Sequence, residues 1–221
     1  METAVDRTLI RGGVVLSLDP DVGDFEQADV LIEGNKIVAV QPDITAGARV
    51  IDASRMIVLP GFIDTHHHHY HEVLRNAQPD ATLGEYMRDI MFRAAPLFRP
   101  GDAYIGNYSA ALRAIDSGTT TVTDTSGVSN SPEHSDALIE GLKNSGVRAV
   151  YAYSRGSGPD AEFPQDLPRI RAEHFSSEDQ LMTLGFDASV EADQWRFARE
   201  QGLRTYVHAG NGFGPGWETA T

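Results

Sequence analysis

The sequence has no cysteine, which excludes a disulfide framework, a thiolate metal site and a cysteine nucleophile. Any metal ligands must be His, Asp or Glu. Lysine is nearly absent too, with Lys36 and Lys143 the only two in 221 residues. Basic residues number 18 against 32 acidic ones, a formal charge of −14, and no basic stripe interrupts that balance. Such a surface repels phosphate backbones, so nucleic-acid polymers are not expected as partners. No apolar run approaches the ~18 residues of a membrane span, and the opening Met-Glu-Thr-Ala-Val-Asp-Arg has no apolar signal region. No membrane partner is expected, and a cytoplasmic location is the default. The hydrophobic content of 41% is ordinary for a globular protein with one large core or two small ones.

What the sequence does have is histidine in one place. After the apolar run Ile57-Val58-Leu59 and the Pro60-Gly61 break come Phe62 and Ile63, then His66, His67, His68, His69 and His71. The run reads as a buried strand that delivers five histidines at its C-terminal end. Side chains at i and i+2 of a strand share a face, so His66 and His68 are paired candidates for one ion while His67 and His69 face the other way. A histidine-rich surface loop or an expression tag has the same composition. This tract is internal, is broken by Tyr70 and follows an apolar strand, which favours a built site. His67, His69 and His71 read as pocket-lining or solvated rather than as ligands.

Upstream, Thr8–Ile10, Val14–Leu16, Val30–Ile32, Ile37–Val40 and Val50–Ile51 read as short strands, with a hairpin turn at Glu33-Gly34-Asn35-Lys36. Downstream, Thr82-Leu83-Gly84-Glu85 has capping-box spacing and opens a helix expected to reach Ala94. Further helices are expected over Asp102–Ser117, Glu133–Ser145 and Glu191–Gln201, each followed by glycine or ended near one. A short helical piece follows Leu167. Strands are expected at Thr119–Asp124, Val147–Tyr153, Leu181–Phe186 and Arg204–His208. Strands alternating with helices predict a parallel α/β architecture.

The string Pro60-Gly61-Phe62-Ile63-Asp64-Thr65-His66-His67-His68 closely resembles the first barrel strand of the amidohydrolase superfamily, in particular its cytosine deaminase, guanine deaminase and triazine hydrolase branch. The resemblance implies a metal-dependent hydrolase on a (β/α)8 TIM barrel, with His66, His68 and the strand-five residue His208 as metal ligands. It implies one divalent metal ion, zinc first and iron second. Binuclear relatives carry a lysine on the fourth strand, and Leu181–Phe186 has none. The substrate implied is a small nitrogen heterocycle, hydrolysed with release of amine or ammonia.

A closed barrel takes about 250 residues, and five of its eight strands are countable here. The expected fold is therefore a partial barrel over residues 59–221, preceded by a small N-terminal β-sandwich segment over 1–58, as the N-terminal part of a larger enzyme. In the resembled family a further histidine ligand follows strand six, and the aspartate general base follows strand eight. Both would lie beyond Thr221, so the 221-residue chain is expected to be inactive by itself. Many deaminases of the branch have a proton-shuttling Glu at the position of Asn211, and an amide cannot exchange a proton. His69, His71, Asp124 and Asn211 remain candidates for touching substrate or for orienting the ligand imidazoles. Asp64 reads as structural, and His134, near a helix start, as a surface residue. The alternative is a non-catalytic metal-binding remnant, or one chain of a split enzyme. Open strand edges predict association, so a homo-oligomer is a further expectation.

Overall fold

The structure, a computed structural model, describes residues 6–158 and 161–209. The chain divides into two compact units, residues 1–61 and 62–221, three residues after the boundary expected from sequence.

In the first unit, strands β1 (Arg7–Val15), β2 (Phe25–Glu33), β3 (Lys36–Gln41), β4 (Arg49–Asp52) and β5 (Ile57–Val58) form one sheet in the order β3-β2-β1-β4, with β5 also on β1. Val15, Ala28 and Val30 are its buried centre, with Ile10, Phe25 and Val58 against them. The two strands expected over 8–16 are one. Its register shifts between Ile10 and Gly13, where Gly12 takes φ +76°, so the glycine pair makes a bulge and not a break. Asp29 is buried but satisfied, accepting the Gly12 N–H at 2.8 Å and the Ile44 N–H at 3.0 Å.

The second unit holds a parallel sheet of β6 (Phe62–His67), β7 (Thr119–Thr125), β8 (Arg148–Tyr153), β9 (Met182–Ala188) and β10 (Thr205–Val207), in the spatial order β10-β9-β8-β7-β6. Helices α2 (Pro100–Asp116), α3 (Pro132–Ser145), α4 (Leu167–His174) and α5 (Ala192–Glu200) connect successive strands, after a short α1 (Leu83–Tyr86). This is an α/β fold whose parallel sheet is a partial TIM barrel. Its core contains Val122, Leu138, Leu142, Tyr151, Tyr153 and Phe186, all at 2% exposure or less.

Two expectations are corrected here, and one element is added. Ile57–Val58 and Phe62–Ile63 are not one buried strand. Pro60-Gly61 separates them, Ile57–Val58 pair with β1 in the first unit, and Phe62 and Ile63 are 59% and 68% exposed because β6 is an edge strand among the described residues. The helix expected over 82–94 keeps its capping box, with the Thr82 N–H on Glu85 Oε2 at 2.8 Å, but is α-helical only to Tyr86. It continues as a π-helix over Met87–Ala94, a winding that stacks residues i and i+5. Tyr86 and Met91 are such a pair, hydroxyl to sulfur at 3.0 Å. Finally, His69–Leu74 is a 3-10 turn that the sequence pattern did not show. That turn presses on α2 so closely that a Cβ at Gly106 would lie 2.9 Å from the Tyr70 carbonyl oxygen.

Candidate metal centre

β6 and β10 are the two outer strands of a five-stranded sheet, and in a flat sheet they would lie about 19 Å apart at ~4.8 Å per step. Yet the His208 ring, just past β10, is centred 4.6 Å from the His66 ring and 5.1 Å from the His68 ring. Curling of the sheet brings the strand ends together, as barrel closure requires. His66, His68 and His208 each offer a nitrogen within 4.8 Å of the others.

The ring nitrogens are oriented for a common point. His68 Nδ1 sits 2.6 Å from the Thr125 carbonyl oxygen. A carbonyl only accepts, so Nδ1 carries the proton and Nε2 is left with a free lone pair. His68 Nε2 is 3.3 Å from His66 Nε2 and 3.2 Å from His208 Nε2. Nitrogens about 2.0–2.1 Å from a tetrahedral zinc would be separated by roughly 3.3–3.4 Å. The donor set therefore fits a divalent ion of zinc type, and neutral imidazoles suit iron as well.

Burial pushes the pKa of His66 down, helped by His208, and burial likewise lowers that of His68. Both favour the neutral, ligating form. His208 goes the other way, raised by Asp187, whose Oδ1 is 3.5 Å from His208 Nδ1. His208 thus has Nδ1 on the Asp187 side and Nε2 on the cluster side, the arrangement in which a carboxylate supports a ligand imidazole.

Around these three, the other candidates take separate places. His69 and Asp124 are fully buried and face each other behind the ligand segment. Asp124 Oδ1 accepts the His69 N–H at 3.0 Å and lies 3.3 Å from His69 Nδ1, while Oδ2 accepts from Asn107 Nδ2 at 2.8 Å. Burial alone would raise the Asp124 carboxyl, but His69 and Asn107 hold it below the usual carboxylate range. Asp124 thus anchors the turn after β6 from a fully buried position. His71 is half-buried, its ring centred 5.3 Å from that of His68 and its Nε2 3.0 Å from the Tyr86 hydroxyl. Burial, then His68, pushes its pKa down to about 4, so it is neutral near pH 7. Exposed His67 pairs with Asp64 at 2.9 Å, and Asp64 also accepts the His66 N–H at 3.2 Å, the structural role read for it. His134 bonds Ser131 Oγ and the Phe98 carbonyl. Asn211 lies outside the described residues.

Sequence reasoning missed Thr125 and Asp187. Thr125 acts through its carbonyl, which leaves no mark on residue type. Asp187 had a signal, a carboxylate at the end of the strand beside His208. A second cluster was also missed: Asp136, Glu173 and His174 bring possible ligand atoms within 4.8 Å of one another.

A sequence profile of the amidohydrolase family matches residues 57–211, more than half of the chain. The chain belongs to the amidohydrolase family. Among curated proteins, the 5-methylthioadenosine/S-adenosylhomocysteine deaminase of Pyrococcus abyssi is 32% identical over 157 residues, 70% of this chain and 35% of that protein. The 5'-deoxyadenosine deaminase of Methanococcoides burtonii is 36% identical over 117 residues, 52% of this chain and 27% of that one. Among solved structures, atrazine chlorohydrolase of Arthrobacter aurescens in complex with zinc has a TM-score of 0.79 at 23% identity, covering 96% of this chain and 55% of the other. An adenosine deaminase of Xanthomonas campestris with bound zinc has a TM-score of 0.76 at 20% identity, covering 93% and 49%. At these identities the structural likeness establishes the fold. The match spans about a third of these curated deaminases and about half of the two solved structures.

Proposed function

We propose that this chain carries the metal-binding half of a mononuclear hydrolase that releases ammonia or an amine from a small amino-substituted nitrogen heterocycle. The observation that carries this reading is the approach of His66 Nε2 and His208 Nε2 to His68 Nε2, at 3.3 and 3.2 Å, with the opposite nitrogen of His68 committed to a carbonyl. His66, His68 and His208 would hold the ion, zinc in the first place. When bound, such an ion supplies Lewis acidity and a nucleophile at neutral pH. The names of the deaminase relatives and the His-x-His strand support the substrate class.

The chain's own residues then divide the work. The Thr125 carbonyl fixes the tautomer of His68, and Asp187 orients His208 and favours positive charge on it. Asp124, His69 and Asn107 hold the ligand-bearing turn. His71 stands neutral beside His68, able to donate or accept a hydrogen bond. The carboxylates near the site among the described residues already have neighbours. Asp124 is buried behind the ligands, Asp64 is held by His66 and His67, and Asp187 backs His208. Missing acid/base help lowers rates by about 10²- to 10⁴-fold, and the 221-residue chain is expected to fall at least that far below a curated relative.

The test is ammonia release from aminopurines, aminopyrimidines and aminotriazines by zinc-loaded protein, beside the Pyrococcus abyssi deaminase. Slow release that is lost with His66→Ala plus His68→Ala supports the reading. Release at the relative's rate would place a proton acceptor within the 221 residues. No release from any compound, with zinc bound by the same histidines, would favour a non-catalytic metal-binding chain.

A further inference from the structure

Loops lie on protein surfaces because buried backbone outside helices and strands leaves polar groups to be paired by other means. The stretch that follows β7 is an exception. Ser126, Val128, Ser129 and Asn130 are each at 5% exposure or less and belong to no helix or strand. Immediately before them stands Thr125, the last residue of β7, whose carbonyl oxygen holds His68 Nδ1 at 2.6 Å. That carbonyl shares a rigid peptide plane with Ser126, so its direction is set by the buried stretch as much as by the strand.

The stretch is fastened from the loop after β8. Ser154 Oγ donates to the Ser126 carbonyl, and Ser157 Oγ donates to the Gly127 carbonyl at 2.8 Å. The backbone N–H groups of Ser157 and Gly158 both donate to Asn130 Oδ1, each at 2.9 Å. Gly156 passes so close that a Cβ there would run into the Ser129 carbonyl. The other end of the same amide, Asn130 Nδ2, donates to the Ala95 carbonyl at 2.9 Å, just past the π-helix. One buried side chain therefore joins the segments that follow β6, β7 and β8, and neither end of its amide can be exchanged for the other without losing bonds.

We propose that Asn130 is a positioning residue of the metal centre: through the two N–H groups that its Oδ1 accepts, it fastens residues 126–130 and so holds the Thr125 carbonyl against His68 Nδ1. The inference rests on the reading of His66, His68 and His208 as metal ligands. Asn130 touches none of them and acts through Thr125. The consequence is that metal affinity follows the fastening of this loop and is independent of how stable the rest of the unit is. Partners of ligating imidazoles are worth about 10- to 100-fold in metal affinity, and a residue that holds such a partner in place acts on the same quantity.

Zinc affinity is measured by calorimetric titration, and the visible absorption of the cobalt(II)-loaded protein, which reports ligand geometry, is recorded beside it. Asn130→Ala should weaken zinc binding about tenfold and change the cobalt spectrum. Asn130→Asp keeps the acceptor for Ser157 and Gly158 and should recover most of that affinity. Leu142→Ala, a core truncation near the C-terminal end of α3, should lower Tm at least as far as Asn130→Ala and leave both metal readouts at wild-type values. Should Asn130→Ala not fold, Ser157→Ala removes only the bond to the Gly127 carbonyl and should shift both readouts in the same direction by a smaller factor. Wild-type readouts in the folded loop variant, an equal loss in Leu142→Ala, or an Asn130→Asp variant no better than a folded Asn130→Ala would overturn this inference alone. A wild-type chain that binds no zinc would overturn the metal reading along with it.

Discussion

Two clusters in the barrel unit gather three potential metal ligands within 4.8 Å, His66–His68–His208 and Asp136–Glu173–His174, and they are opposite in character. In the second, the guanidinium of Arg169 already sits among the acids. It reaches Asp136 at 2.7 Å, Glu173 at 2.8 Å and Asp166 at 2.6 and 2.7 Å, while His174 Nε2 lies 2.8 Å from Asp136. Hydrogen bonds donated to Asp166, first among several acids, drive the Arg169 pKa further up. The lone pairs of that cluster are spent on an internal cation, and its result is to pin α3 to α4. In the histidine cluster no side-chain cation intrudes among the described residues, and three ring nitrogens face one another, with the lone pair of His68 Nε2 directed inward. Proximity of ligand residues is common to both; unspent lone pairs belong to one.

The largest test of this contrast is zinc affinity. His66→Ala with His68→Ala should weaken zinc binding at least ~100-fold by calorimetric titration, since even supporting residues of metal sites are worth about 10- to 100-fold. Asp136→Ala with His174→Ala should leave it within about twofold. Equal losses in the two double variants would erase the distinction. Next in size is the anchor behind the ligands. Asp124→Ala removes the acceptor for the His69 N–H and for Asn107 Nδ2, both buried, and should cost about 3 kcal/mol in denaturant unfolding.

Arg169→Met sharpens the comparison from the other side. It should cost about 2 kcal/mol, because Asp166 loses a paired, charge-assisted hydrogen bond. In a His66→Ala, His68→Ala background it should also create a zinc-dependent rise in Tm that is absent with Arg169 in place. No such rise would mean that the acids are too far apart, or too exposed, to hold an ion even when freed.

The smallest effect concerns pH. Zinc needs His208 neutral, and Asp187 raises the His208 pKa, so protons compete with the metal up to a higher pH than they would at an ordinary histidine. Zinc affinity should fall as pH falls through that range. Asp187→Asn lowers the His208 pKa and should move the loss of affinity to lower pH, measured by titrations across a pH series. A midpoint that stays put would remove Asp187 from any role at His208.

Much of the barrel unit was legible because its apolar periodicity alternates cleanly between strands and helices, with Gly118, Gly146 and Gly202 at positive φ where helices end. The His-x-His spacing pointed to His66 and His68, the family resemblance added the strand-end His208, and the structure brings the three together. What stayed hidden was whatever acts through the backbone or through non-local contact. The Thr125 carbonyl carries no residue signature, the burial of Asp124 depends on α2 lying over β7, and the 3-10 turn at His69–Leu74 has no repeat to announce it. The π-helix after Tyr86 was read as ordinary helix because its apolar spacing is ambiguous over eight residues.

Gly106 has a consequence for how freely this protein can vary. A glycine inside α2 costs about 1 kcal/mol of helix stability relative to alanine, and here the smallest enlargement would push against the backbone of Tyr70, two residues after His68. The backbone there cannot yield without carrying the imidazoles with it. Substitution in the middle of a helix, at a residue that touches no ligand atom, would thus be read out as a misplaced metal ligand, and sequence drift at the centre is constrained from outside it by the absence of a methyl group.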